Sequence, residues 1–268
     1  VIVDDFGEMT KLDTIPQANR EWAAMVIRLD RFVGELVAEL KELGVYENTI
    51  IFFASDNGYA RSKEKNWPDD PWFRNKGPFT GGKFSALEGG CRVPFFVNWS
   101  GKIKPGVVSS PVWLPDFFPT AAGLAGASYA HQVDGIDLWP VLGGDPSDFK
   151  PHHHLYFSKC REQAVRMGAW KAYRESPEDP TRLYLVEEDT YGERDLSSVY
   201  PDVVAEVEAI RDRSWTPHEW FWTPDETWED YKKKIQRAKD ERKMIPFQRA
   251  NGLELLPFEK RTADGRPL

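Results

Sequence analysis

An apolar run, Ile50-Ile51-Phe52-Phe53-Ala54, ends abruptly in Ser55-Asp56-Asn57-Gly58. Adjacent carboxylate and amide oxygens are ligands of the kind that hard cations such as calcium and magnesium accept. In open α/β sheets, the crevice beyond the carboxyl ends of the strands is where ligands bind. Downstream, Gly81-Gly82-Lys83-Phe84-Ser85-Ala86-Leu87-Glu88-Gly89-Gly90 sets one lysine among glycines, which let backbone approach a ligand closely. A pair of oxygen ligands and an isolated ammonium together point to a site for an anionic group such as sulfate or phosphate. Each half also has a plainer reading. Asp and Asn are common turn formers at strand ends, and a lone lysine is most often a surface residue.

The ordered set of motifs resembles the C-terminal half of the sulfatase family, within the alkaline-phosphatase-like superfamily. Ser-Asp-Asn-Gly at 55–58 is followed by Gly-Pro at 77–78, Gly-Gly-Lys at 81–83, Glu-Gly-Gly at 88–90 and Arg-Val-Pro at 92–94. Trp99 to Gly106, Asp116 to Thr120, Val133 to Leu138, Ala164 to Lys171 and Leu183 to Leu185 continue in family order. The resemblance thus runs from about Ala23 to about Trp222. It implies that Asp56 and Asn57 are two oxygen ligands of a single calcium ion. It also implies that Lys83 contacts the sulfate group, as a catalytic and substrate-binding residue. Relatives using two zinc ions often place histidine after the aspartate, because imidazole suits zinc and an amide oxygen suits calcium. Thr80 departs from the arginine often found before Gly-Gly, which leaves substrate details open. Glu88 and Arg92 read as a structural pair. The implied reaction is hydrolysis of a sulfate ester, carried by a small molecule or glycan, in the intact parent enzyme. The family is commonly exported to the periplasm, secreted or lysosomal.

The family's nucleophile is a formylglycine matured from the cysteine of Cys-x-Pro-x-Arg, and this chain has no such motif. Cys91 lies in Cys-Arg-Val-Pro and Cys160 in Cys-Arg-Glu-Gln. The sequence opens on Val1 rather than Met, so the expectation is a C-terminal fragment that is inactive alone. Val3-Asp4-Asp5-Phe6-Gly7 is similar to the end of the family's first strand, whose carboxylates bind the same ion. Too little chain separates Asp5 from the next helix to hold the nucleophile segment, so this match reads as coincidental. Whether Asp4 and Asp5 are ligands stays open. Three other readings are a phosphatase or phosphodiesterase of the same superfamily, a truncated pseudoenzyme, and a non-catalytic fragment binding a sulfated glycan. Trp67 and Trp72 would serve the last by stacking on sugar.

The elements that must position these residues follow from composition and period. The chain has 268 residues, 41% hydrophobic and 13% aromatic, enough for a core. A net charge of −8 disfavours nucleic acid as a partner. No apolar run approaches the roughly 20 residues of a membrane span. Asn98-Trp99-Ser100 reads as a chance glycosylation sequon. Apolar residues stepping by three and four predict a helix from Pro16 to Leu43, stopped by Gly44. Thr49–Ala54 predicts a strand covered on both faces, half of a parallel βαβ crossover. Pro94–Trp99 predicts the next strand and Leu114–Leu124 a short helix. Leu155–Phe157, Ala164–Arg166, Trp170–Arg174 and Arg182–Val186 predict a small antiparallel sheet, covered by an amphipathic helix from Pro201 to Arg213. His152, His153 and His154 read as a polar strand entrance, since neighbours on a strand face opposite ways and cannot converge on one ion. His131 and His218 read as isolated. Trp228–Lys243 predicts a solvated helix in a charged tail. The fold class is α/β: residues 1–145 as the C-terminal part of an alkaline-phosphatase-like mixed-sheet domain, 146–222 as a small antiparallel α+β subdomain, and 223–268 as the tail.

Overall fold

The computed structural model describes residues 17–60, 77–159, 161–215 and 226–240. Asp4, Asp5, Trp67, Trp72, Cys160 and His218 lie outside them. Val1–Ser214 form one compact unit and Trp215–Leu268 a second. Among the described residues the second unit holds one helix, α6 (Trp228–Asp240).

Helix α1 runs over Gln17–Glu42. It stops because Gly44 turns into the left-handed region at φ +69°, where a side chain would be strained. Gly44 N–H then donates to Lys41 O and Val45 N–H to Leu40 O, both at 3.0 Å, which satisfies two carbonyls at the helix end. The chain continues into β1 (Ile51–Ala54), which pairs antiparallel with β2 (Phe95–Asn98), Phe52 opposite Val97 and Phe53 opposite Phe96. Two expectations are corrected here. All four β1 residues are only half-buried, not enclosed on both faces. Among the described residues the partner of β1 is the antiparallel β2, so no parallel crossover is formed. An all-apolar run reports that a strand can be covered, not which strand lies beside it.

Between these strands lies the short helix α2 (Glu88–Cys91). The predicted helix at Leu114–Leu124 divides into a 3₁₀ turn at Leu114–Asp116 and helix α3 (Phe117–Leu124). Pro119 falls in the first turn of α3, where its missing N–H has no intrahelical partner to lose. Helix α4 (Trp139–Leu142) follows.

The remainder is a four-stranded antiparallel sheet in the order β3 (Leu155–Lys159), β4 (Glu162–Met167), β5 (Trp170–Arg174) and β6 (Arg182–Leu185). Gly168, at φ +53°, allows the tight β4–β5 turn. Side chains alternate across each strand. Val165, Ala172 and Leu183 share one face and pack on Val207 and Ile210 of helix α5 (Pro201–Ser214). Ala164, Tyr173 and Tyr184 share the other face, and there they meet Ala86 and Leu87. The sheet is therefore held between α5 and the segment that follows Lys83. No helix among the described residues is long and apolar enough to cross a membrane.

Candidate functional site

The end of β1 is locked into a tight turn by its own polar groups. Ser55 N–H donates to Pro94 O at 3.3 Å, continuing the ladder to β2 by one step. Ser55 Oγ donates to Asn57 O at 2.8 Å, and Asn57 Nδ2 donates to Gly58 O at 3.0 Å. Turning its nitrogen onto the backbone leaves Asn57 Oδ1 with no hydrogen-bond partner among the described residues. Asp56 is exposed, and it too has no hydrogen bond or ion pair among them. Two neighbouring oxygen donors, one charged and one neutral, are thus left open at the strand end.

The Lys83 segment is stitched to this turn backbone to backbone. Gly58 N–H donates to Gly90 O at 2.9 Å, and the Lys83 N–H donates to Tyr59 O. The glycines are what permit the approach. A Cβ on Gly58 would lie 1.9 Å from Gly89 O, and one on Gly90 would lie 2.2 Å from Ser85 O. Lys83 itself is half-buried, its ammonium 5.4 Å from the centre of the Phe84 ring, with no ion pair among the described residues. Phe84 holds φ +71°, an uncommon conformation for a bulky residue, and the residue is 70% exposed. Lys159 Nζ is also 5.4 Å from that ring. Strained residues cluster at functional sites, where the surroundings hold them in place.

A cavity of about 380 Å³ opens beside the turn, lined by Asn57, Gly58, Tyr59, Phe79, Gly89 and Arg92, among others. Lys83 and Asp56 do not line it. The structure brings the predicted residues together through their backbones, and describes no direct contact between their side chains. A groove of about 420 Å³ between α1 and the β1–β2 pair is larger, but its walls are mostly apolar, with Asp30 the one carboxylate and no Lys, Arg or His among the lining residues. It lacks the convergent polar groups of a chemical site.

Calcium takes about six to eight oxygen ligands. Asp56 and Asn57 fit part of that set by type and by having side-chain oxygens without a partner among the described residues. Among the described residues no group of three or more His, Cys, Asp or Glu side chains could hold a metal. The three histidines do not converge on one point: His153 and His154 meet Nδ1 to Nδ1 at 3.2 Å, contrary to strict alternation, while His152 turns to Asp116. His153 reaches Glu206 at 3.6 Å and His154 reaches Ser214 Oγ at 3.1 Å. Burial, with the charges of His153 and Arg213, holds His154 below its usual pKa.

His152 departs from the polar-entrance reading. Its side chain is only 8% exposed, and Nε2 lies 2.8 Å from Oδ1 of Asp116. Asp116, fully buried, also accepts from Ile136 N–H at 2.8 Å and Trp113 N–H at 2.9 Å. Nothing in the local sequence signalled this pair, whose members are 36 residues apart. Glu88 and Arg92 do form a pair, at 4.0 Å, and Arg92 reaches Glu187 at 3.3 Å. Thr80 Oγ1 donates to Tyr191 O. Burial pushes the Cys91 thiol pKa up, only partly countered by Lys171, which disfavours the thiolate that a nucleophile needs.

Comparison with known proteins finds sulfatases. Residues 6–127 match the sulfatase family. Steryl-sulfatase of Mus musculus is 39% identical over 161 residues, covering 57% of this chain and 25% of that protein. Among solved structures, Ps i-CgsB in complex with k-i-k-neocarrahexaose is 29% identical with a TM-score of 0.66, covering 87% of this chain and 51% of that one. BT4656 in complex with its substrate D-glucosamine-2-N,6-O-disulfate is 22% identical with a TM-score of 0.53, covering 73% and 41%, a likeness of fold. The chain thus spans about a quarter of that curated relative and between 41% and 51% of the two structural neighbours.

Proposed function

We propose, for a chain that belongs to the sulfatase family over its residues 6–127, that it is the C-terminal portion of an enzyme hydrolysing a sulfate ester. On this reading Asp56 and Asn57 hold part of a calcium site, and Lys83 contacts the sulfate. The observation that supports it most is the backbone seam of Gly58 to Gly90 and Lys83 to Tyr59, which fixes the two oxygen donors beside the lysine segment.

The residues divide the work as follows. Asp56 supplies a charged oxygen and Asn57 a neutral one, both unpartnered in the turn. Calcium, when bound there, would offset negative charge on the sulfate oxygens. Lys83, with no carboxylate paired to its ammonium among the described residues, can neutralise charge that grows on the leaving and non-bridging oxygens as the ester bond breaks. The glycines admit the anion close to the backbone. The nucleophile, a formylglycine in this family, would come from an upstream segment, because neither Cys91 nor Cys160 lies in a Cys-x-Pro-x-Arg motif. A sulfated sugar or aryl ester is the fitting substrate class. A solved neighbour takes a sulfated glucosamine, and the exposed Phe84 ring beside Lys83 offers a surface on which a ring can stack.

The test uses the intact enzyme carrying this chain. Lys83→Ala should lower turnover by roughly 100-fold or more, the scale for losing one charge-stabilising group, with calcium affinity little changed. Asp56→Ala should weaken calcium binding as well as turnover, because a carboxylate supplies both charge and a coordination position. Near-normal activity of Lys83→Ala on every sulfate ester would remove the sulfate assignment. Full calcium-dependent activity of Asp56→Ala would remove the metal assignment.

A further inference from the structure

Lys83 stands on a segment with little regular structure of its own: a run of turns between Gly77 and the four-residue helix α2. What keeps such a segment still must come from elsewhere. Its front is seamed to the Asp56 turn. Its back rests on the small sheet, and there the contacts are specific. Ala86 is 2% exposed and packs with Ala164, Tyr173 and Tyr184, while Leu87 packs at the edge of the same cluster. The Ala86 N–H, three residues past Lys83, donates to Glu162 Oε2 at 2.8 Å. A carboxylate acceptor makes this hydrogen bond roughly twice as strong as a neutral one.

One turn further, Glu88 Oε1 lies 3.0 Å from Nζ of Lys171, whose side chain is 2% exposed. The ammonium lies off the hydrogen-bonding direction, so it has no directed partner although it is ion-paired. The Phe157 ring, 4.8 Å away, covers it further. A lysine so buried must keep its carboxylate close, because an uncompensated charge in that position is costly. Both ties run from the sheet to the same short segment. Glu162 belongs to β4 and Lys171 to β5, paired neighbours in the sheet.

We propose that Glu162 is a positioning residue for Lys83, holding the Ala86 N–H so that the lysine segment takes its register from β4, with Lys171 fixing the next turn through Glu88. The small sheet is then the backing plate of the anion site. This rests on the reading of Lys83 as the sulfate-contacting residue. Small displacements matter at such a site, since a shift of about 1 Å in a reacting group can cost about 100-fold in rate.

The experiment compares Glu162→Ala and Glu162→Gln with the unchanged intact enzyme, measuring amide hydrogen exchange and steady-state kinetics on an aryl sulfate. In Glu162→Ala, exchange at the Ala86 to Arg92 amides should accelerate by about tenfold or more while β5 and β6 amides stay protected, as expected for local loosening. Its kcat should fall by about tenfold with KM changed less than about threefold, the signature of a group misplaced in the transition state. Glu162→Gln retains an oxygen acceptor for the Ala86 N–H and should restore both readouts most of the way. Unchanged exchange at Ala86 to Arg92 in Glu162→Ala would overturn the proposal. So would a loosened segment with kcat unaffected, provided Lys83→Ala is strongly impaired in parallel. If Glu162→Ala fails to fold, Glu162→Gln decides: general loss of protection with it points to a structural role and overturns the proposal. A fully active Lys83→Ala instead sinks the sulfate reading, and the exchange data then stand apart from it.

Discussion

At the scale of single residues, the site depends on atoms that are absent as much as on those present. Gly58 lies where a Cβ would meet the Gly89 carbonyl oxygen at 1.9 Å, and the Gly89 and Gly90 backbone within 2.9 Å. No flexible side chain can give way there. Gly58→Ala should therefore part the two segments, lowering both turnover and thermal stability in the intact enzyme. Gly106→Ala, whose nearest neighbour is 3.9 Å away, is the control expected to change neither. Equal behaviour of the two would show that the close approach is not needed. Asp116 makes the complementary case. It is fully buried and accepts from Trp113 N–H, Ile136 N–H and His152, joining three segments distant in sequence. Asp116→Ala leaves three half-buried partners unanswered beside an emptied buried position and should cost about 2–3 kcal/mol, measurable by denaturant unfolding. Asp56, Asn57 and Lys83 could be named as candidates from the sequence because their types stand out against an apolar strand and a glycine run. Asp116 and His152 could not, since a buried hydrogen-bond hub leaves no periodic trace in the chain.

At the scale of elements, the small sheet carries more than its size suggests. Its two faces are divided between α5 and the Lys83 segment, and the alternation of Ala164 with Val165, or Ala172 with Tyr173, sets which residue meets which. Strand β6 is pinned from outside by Asp195, whose Oδ1 accepts from Leu183 N–H at 3.0 Å and Ser197 N–H at 2.9 Å. Burial pushes the Asp195 pKa up, but those donors outweigh it and hold the carboxyl below its usual value. A folded pKa below the unfolded one stabilises at pH values above the unfolded pKa of about 3.9, and the gain is lost as pH falls through the folded value. The melting-temperature gap between the unchanged protein and Asp195→Asn should accordingly be full at neutral pH and shrink below about pH 3.9. A gap that widens in acid would contradict the assignment. The four strands and α5 were readable from period and turn residues. The half-burial of β1 and its antiparallel partner were not, because pairing joins residues about 40 positions apart by a contact that no local pattern encodes. The Glu162 tie to Ala86, 76 residues back, was hidden for the same reason.

At the scale of the whole molecule, one face has no cover among the described residues. Met25, Leu29, Phe32 and Leu36 of α1 are each about half exposed or more, and Phe96 of β2 is 64% exposed. Between helix and strands runs the apolar groove of about 420 Å³, framed by Val26, Val33, Val37, Ile51 and Phe53. A helix with so regular an apolar stripe gains most of its stability from packing that stripe, since isolated helices are marginal in water. Contiguous apolar surface of this kind marks a place where other protein is meant to lie. The 268-residue chain produced alone should therefore bind a hydrophobic dye, associate, and melt over a broad range. It should also turn over no aryl sulfate, because no Cys-x-Pro-x-Arg is present to mature and burial disfavours the Cys91 thiolate. Calorimetry, light scattering and an activity assay on one preparation decide the matter. A sharp transition in a monodisperse monomer would mean that the apolar face needs no partner. Turnover lost on changing Cys91 or Cys160 would mean that this chain carries its own nucleophile.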